Sequence, residues 1–379
     1  MSEGPLTGIR VLDLSSIGPG PFCGMILADH GAEVIEVLKP SPTASIRPDG
    51  SFGRGKRSIM VDLRDPAGAD VVRRLAGTAD VLIEGNRPGT LERRGLGPEE
   101  LLEQNPRLVY VRLTGWGQTG PYADRAGHDI NYISTVGMLG ALGTTPKDAP
   151  TVPQALVGDL AGGAMFALLG AVMALFEREH TGVGQVVDAS IVDGVATLLT
   201  PQLLEFSQGR WSGRGGGVLG GSAPFYGAYR CADGQWFSVG AIEPAYFERM
   251  LEVLGLESPA SKQFEPAAWP ELRSQVSAAF SAQPRAYWEQ RFAEVDACGT
   301  AVLNLDELTT DPHLAHRRTI VDRYGRLEAA PAPRFPSKGV PEPRPTPRPG
   351  EHTLDIMMEL GVNRSEVKKL LENGVLRQS

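Results

Sequence analysis

Short apolar runs alternate with helix-spaced stretches over the first third of the chain. Residues 9–14 (IRVLDL) are compact and apolar, and a glycine/proline turn at 17–21 ends them. Residues 22–30 carry the pattern of a helix, and 33–38 (EVIEVL) read as a second buried strand, stopped by Lys39-Pro40. The alternation then repeats: helix 67–76, strand 81–84, helix 98–104, strand 108–113 (LVYVRL). Such βαβ units favour a parallel sheet, so the predicted fold is a doubly wound, Rossmann-like α/β domain.

The pattern changes at residue 160. Residues 160–176 (LAGGAMFALLGAVMALF) carry no charge, and Asp159 and Glu177 flank them. The run falls just short of the ~18–20 residues of a membrane span, which predicts a central core helix, apolar on nearly every side. Residues 185–189 (QVVDA) and the run to 204 continue that core. The glycine-dense stretch 209–221 marks a domain boundary or a hinge. Beyond it, strands at 225–229 and 236–239 and helices at 244–254, 269–282 and 285–293 predict a small α+β domain. The proline-rich stretch 331–349 reads as an extended surface strap, followed by helices at 352–360 and 364–372. At 379 residues the chain exceeds one compact core. The expected division is a large domain of residues 1–205 completed by 330–379, a linker at 206–222, and a small domain at 223–329.

Charge narrows the function. A formal net charge of −8 offers no positive field for nucleic acid, although a local arginine cluster could hold a small polyphosphate. The opening MSEGPLTGIR lacks the basic and apolar regions of a secretory signal. Cys23, Cys231 and Cys298 are isolated, without metal-site spacing. They read as buried, inert thiols of a protein from a reducing, cytoplasmic compartment.

Several residues could carry chemistry. The turn GPGPFCG (residues 18–24) has glycines between strand and helix, but its spacing is not G-x-G-x-x-G, so no dinucleotide site follows. Gly127-His128-Asp129-Ile130-Asn131-Tyr132 places an imidazole beside a carboxylate and two hydrogen-bonding side chains. The other five histidines lie in charged or turn contexts that look exposed. His128 is either a structural histidine or a proton carrier. Asp159 reads as the N-cap of the apolar helix, or as a functional acid whose neighbours Gly162 and Gly163 let a ligand approach the first-turn amides. Glu243, before Pro244, is a helix-start acid. Lys39, Arg54, Lys56, Arg57, Arg64, Arg87, Arg93 and Arg94 fall at strand ends and loops of the first domain. A solvated surface explains most of them, and a nucleotide-phosphate site is the alternative.

The segments GPLTGIRVLDL, GPGPFCGMILADHGAEVIEV, VLIEGNRPGTLERRGLG, LTGWGQTGPYADRAGHDINY and GQVVDASIVDG resemble the class III CoA-transferase superfamily. Within it, GHDINYIS, the VGD-plus-glycines helix start and APFY…YRCADGQWFSVGAIEP are similar to the α-methylacyl-CoA racemases. The likeness runs from Pro5 to about Pro333. It implies a two-domain chain threaded through a second copy as an interlocked homodimer, with 2-methylacyl-CoA as substrate and no cofactor beyond the CoA of that substrate. It implies His128 and Asp159 as the two bases, and Glu243 of the other subunit orienting His128. For CoA it implies Lys39, the strand edge Val61, Asp62, Leu63 and Arg64, then Gly85, Asn86, Arg87, Arg93, and the loop Gly127, Asp129, Ile130, Asn131 and Tyr132. Two positions depart from the family pattern. Lys39 stands where relatives often carry Arg, and GGGVLGGS precedes Ala223 in place of an Asn/Leu/Asp-containing segment.

The implied chemistry is 1,1-proton transfer through an enolate whose charge is accepted by amides near Asp159. Neither a metal nor a membrane enters it. The competing enzyme is an acyl-CoA:carboxylate CoA-transferase in which Asp159 attacks the thioester. A CoA-binding protein without catalysis is the third possibility.

Overall fold

The computed structural model describes residues 4–40, 50–257, 260–323, 325–339 and 342–379. The chain divides into two compact units: residues up to 138 with 153–200 and 330 onward, and residues 139–152 with 201–329. This differs from the sequence expectation in two places. Residues 139–152 belong to the second unit, and the glycine-dense stretch 209–221 lies inside that unit, whose boundary falls at 200/201.

The elements of the first half run β1 (Arg10–Asp13), α1 (Pro19–Asp29), β2 (Glu33–Leu38), β3 (Arg57–Val61), α2 (Pro66–Ala76), β4 (Val81–Glu84), α3 (Pro98–Gln104), β5 (Val109–Thr114) and α4 (Asp129–Thr135). Then come α5 (Met138–Ala141), a π-helical stretch (Leu156–Ala164), α6 (Met165–Thr181), β6 (Val186–Ser190), α7 (Ile191–Leu198) and α8 (Thr200–Ser207). In the second unit are β7 (Tyr226–Arg230), β8 (Trp236–Gly240), α9 (Pro244–Leu254), α10 (Trp269–Ser281), α11 (Arg285–Ala293), β9 (Gly299–Ala301), α12 (Pro312–Arg317), β10 (Ile320–Arg323) and β11 (Arg326–Ala329). The chain closes with α13 (Thr353–Glu359), α14 (Arg364–Glu372) and β12 (Leu376–Arg377).

Among the described residues, the first unit holds a seven-stranded sheet in the order β12-β3-β2-β1-β4-β5-β6. β1 to β6 are parallel, with Val11 opposite both Val34 and Val81, and β12 joins antiparallel to β3. Leu12, Ile35, Ile59, Leu82 and Tyr110 are buried in one core with Val72 and Leu75 of α2. Each such side chain contributes roughly 1.5–3 kcal/mol on burial. Strand order reverses between β1 and β4, and a crevice opens at the carboxyl ends of the strands there. The second unit packs α9, α10 and α11 on the antiparallel sheet β7-β8-β9, around Phe225, Phe237, Phe247, Phe280 and Trp288.

Several sequence expectations are corrected. The apolar helix is not buried all round. Ala167, Ala171 and Ala174 pack inward, whereas Met165, Leu169, Val172, Met173 and Phe176 lie open along one face, Phe176 at 70% exposure. Together the π stretch and α6 form a helix from Leu156 to Thr181 that is long and apolar enough to cross a membrane.

Three of the basic residues are structural. Lys56 is fully buried on Asp13, Arg54 is buried on Asp29, and Arg57 bridges Glu33 and Glu359. His30 is buried, its ring nitrogens meeting the carbonyls of Ile26 and Pro333. Cys298 is exposed, while Cys23 and Cys231 are buried. The strap reading of 331–349 includes residues 340 and 341, which lie outside the described residues. Its described part carries a 3-10 turn at Pro336–Lys338 and buries Pro343 and Pro347.

Candidate active site

The floor of the crevice is an ion pair. Asp13 ends β1, and its Oδ2 accepts from Lys56 Nζ at 2.8 Å. Its Oδ1 accepts from the Ser15 amide at 3.0 Å and from the Ser15 hydroxyl. Lys56 also donates to the Pro21 carbonyl at 2.9 Å. With both charges removed from water, these bonds satisfy the pair and fix the turn from Ser15 to Gly20. Gly18 has φ 67°, a left-handed conformation that favours glycine. A β-carbon there would lie 3.4 Å from Asp159 Oδ2, so the Asp159 carboxylate sits against this turn.

Above the floor lies a cavity of about 960 Å³, at the ends of β1, β4 and β5. Ser15 and Gly18 line it from the first turn, Gly85, Asn86 and Arg87 from the second, and Trp116 from the third. Gly127, His128 and Tyr132 form one wall, and Asp159 another. The two residues named as bases therefore share one cavity.

The GHDINY segment builds its own wall. His128 is the N-cap of α4, with extended backbone, and its amide donates to Asn131 Oδ1 at 3.0 Å. The Asn131 carbonyl oxygen thus serves as a helix cap. The Tyr132 hydroxyl donates to the Gly127 carbonyl at 2.5 Å, and its ring meets Trp116 edge-on at 4.9 Å. The imidazole-bearing residue is exposed on this braced corner.

Asp159 is not an N-cap. The helix begins three residues earlier, after Gln154 and Ala155, two non-glycine residues at φ 51° and 62°. Asp159 sits inside the π stretch, a local widening of a helix that often accompanies functional sites. Its amide donates to Asp129 Oδ2 at 2.8 Å and is therefore not free for an enolate. Burial first, and the Asp129 carboxylate second, push the Asp159 carboxyl up to about 6, against an opposing pull from His128. Gly162 is also not a ligand-approach site. A β-carbon there would stand 2.5 Å from Val195 Cγ2, so this glycine lets α7 pack closely.

The remaining residues named from sequence are distributed unevenly. Gly85, Asn86, Arg87, Gly127 and Tyr132 line the cavity, whereas Lys39, Arg64 and Arg93 are exposed outside its lining. Arg64 is engaged by Asp62 through two short contacts, 2.9 and 2.6 Å, which hold the Asp62 carboxyl down at about 2. Val61 is not at a free edge: it is buried opposite Leu376 of β12, and Leu63 packs against the same core. Ile130 and Asn131 are exposed and Asp129 is buried, all three outside the lining. Glu243 is exposed at the N-cap of α9 in the second unit and makes no side-chain cap bond. Sequence reasoning missed Ser15, Trp116, Arg125 and Gln154 as cavity residues. Their only sequence signal is position: each lies in a loop near the carboxyl end of a strand or before the apolar helix.

Comparison with known proteins matches this arrangement to one family. Residues 6–353 fit the model of CoA-transferase family III. The chain is 41% identical to the alpha-methylacyl-CoA racemase of Mus musculus over 369 residues, covering 96% of both chains. It is 40% identical to the Homo sapiens protein of the same name, over 99% of this chain and 98% of that one. It is also 36% identical to the succinyl-CoA–D-citramalate CoA-transferase of Chloroflexus aurantiacus, over 84% of this chain and 83% of that one. Among solved structures, a CaiB/BaiF family protein from Brucella suis superposes with a TM-score of 0.81 at 27% identity, covering 94% of this chain and all of that one. The parallel sheet, the crevice at its switch point and these full-length matches lead to one conclusion: the chain belongs to CoA-transferase family III.

Proposed function

We propose that the protein is an α-methylacyl-CoA racemase, interconverting (R)- and (S)-2-methylacyl-CoA. The observation that carries this reading is the pairing in one cavity of His128 with Asp159, whose carboxyl is raised to about 6. The likeness to the two mammalian racemases supports it over CoA transfer.

In one direction neutral His128 takes the α-proton, and the electron pair moves into an enolate with its charge on the thioester oxygen. Protonated Asp159 then delivers its proton to the opposite face of the α-carbon, leaving imidazolium and carboxylate. The reverse direction exchanges the roles. A carboxyl group with a raised proton affinity can serve as acid or base near neutral pH. Among the first-turn amides of α4, those of Asn131 and Tyr132 donate to the His128 carbonyl, so the Asp129 amide beside His128 would stabilise the enolate oxygen in place of the occupied Asp159 amide.

Proton carriers suffice for this chemistry, so the proposal includes no cofactor apart from the CoA of the substrate. Lys39, Arg87 and Arg93 supply positive charge toward the diphosphate. The open apolar face of α6 is the kind of surface that a second copy covers, which supports a homodimer in which Glu243 of the partner subunit orients His128. The sparse cysteines suit a cytoplasmic protein, and the proposed 2-methylacyl-CoA substrate places it in lipid metabolism.

The test is chiral analysis of a single enantiomer of a 2-methylacyl-CoA incubated with the enzyme, with and without a free carboxylic acid. Conversion to a mixture of both enantiomers without the acid is expected. Movement of CoA to the acid with configuration retained would establish the transferase instead.

A further inference from the structure

Asp129 stands next to His128 in sequence and against Asp159 in space. Its carboxylate is buried, at 6% exposure. Its Oδ2 accepts the Asp159 amide at 2.8 Å, while its Oδ1 is buried without a hydrogen-bond partner among the described residues. The intervening residue is shaped to this contact. A β-carbon on Gly158 would lie 2.4 Å from Asp129 Oδ2, inside any tolerated distance. The pairing of a glycine at 158 with a carboxylate at 129 therefore closes the π stretch onto the start of α4.

We propose that Asp129 is a positioning residue for proton transfer, tying the Asp159 turn to the His128 corner so that both proton carriers are held as one unit. This rests on the racemase reading of the same cavity. A buried carboxylate with one free oxygen is costly in a fold that could have used asparagine for the same hydrogen bond. The charge itself therefore has a use: it opposes ionisation of Asp159. The other groups facing Asp159 are few. His128, from the same α4 start, pulls the opposite way, and the Tyr132 hydroxyl also feels the Asp159 charge. The elements packed on the π stretch from the remaining sides are α1, α6, α7 and β5, and among the described residues the charged groups acting on Asp159 are Asp129 and His128.

The experiment compares wild type with Asp129→Asn, Asp129→Ala and Gly158→Ala, using two readouts. The first is titration of the Asp159 carboxyl, followed by carbon NMR of side-chain-labelled aspartate with Asp159→Asn as the assignment control. The second is kcat and KM for each enantiomer across pH. Asparagine keeps an acceptor for the Asp159 amide and removes the charge. It is expected to lower the Asp159 midpoint by about one pH unit. The pH limb governed by Asp159 should follow it downward.

Alanine at 129 and alanine at 158 break the tie itself. They are expected to lower kcat roughly tenfold to a hundredfold, with KM changed less than about threefold. An unmoved Asp159 midpoint in Asp129→Asn, or wild-type kcat in both tie-breaking variants, overturns the proposal. Should wild type racemise nothing, the racemase reading falls on that result alone, and the Asp159 titration still decides whether Asp129 acts on it. Circular dichroism of each variant separates misfolding from loss of positioning, and Asp129→Asn is the variant that preserves the bonds of the fold.

Discussion

Two buried aspartates lie behind the lining of the same cavity and are treated in opposite ways. Asp13, on the floor, faces a fully buried lysine and two donors from Ser15. Asp129, in the wall, faces the amide of a residue whose own side chain is a carboxylate. The floor cancels its charge and is locked by the cancellation. The wall leaves charge uncancelled, and that charge adds to burial, the larger cause, in raising the Asp159 carboxyl to about 6. Neutralised buried charge builds rigidity, and opposed charge builds a proton reservoir.

The largest expected effect comes from breaking the floor. Lys56→Met leaves Asp13 buried without its counter-charge and should cost about 3–5 kcal/mol of stability. Denaturant unfolding of Lys56→Met and of Asp13→Asn/Lys56→Met checks this, with the double variant recovering part of the loss. Next comes the wall. His128→Ala removes an exposed side chain, so stability should change by about 0.5 kcal/mol or less. Racemisation should nonetheless fall roughly 10²- to 10⁴-fold. An equal loss of stability and activity in that variant would erase the contrast between the two regions.

The smallest effect concerns Asp159 and pH. Its folded-state carboxyl is raised from 3.8 to about 6, so the native protein binds more protons than the unfolded chain between those values. Stability from this group is therefore present at low pH and lost as pH rises toward 6. Because the side chain is partly solvated, the cost at pH 8 is discounted to about 1 kcal/mol. Asp159→Asn should raise the melting temperature at pH 8 and leave it unchanged near pH 4.

Much of this was legible in the sequence. The apolar runs locate β1, β2, β4 and β5, though not β3, because a parallel sheet buries both faces of each strand, and periodicity needs no tertiary information there. His128 could be singled out because its neighbours in sequence are also its neighbours in space. Asp159 was legible as a residue but not as a structure: a π stretch has no sequence signature, and its position at the head of an apolar run imitates an N-cap. Lys56 was illegible as a buried charge, since Asp13, which justifies its burial, lies 43 residues earlier. The open face of α6 was hidden for a related reason. A helix apolar all round reads as a core helix whether this chain or a second copy covers it.

The central claim is that His128 and Asp159 move the α-proton. The direct measurement is proton NMR of one enantiomer of a 2-methylacyl-CoA in D₂O, without acceptor acid, for wild type and His128→Ala. The account predicts loss of the α-proton signal with formation of the deuterated opposite enantiomer in wild type, and neither in the variant. Retention of the α-proton by wild type, with CoA passing to an added carboxylate, would contradict it and make Asp159 a nucleophile.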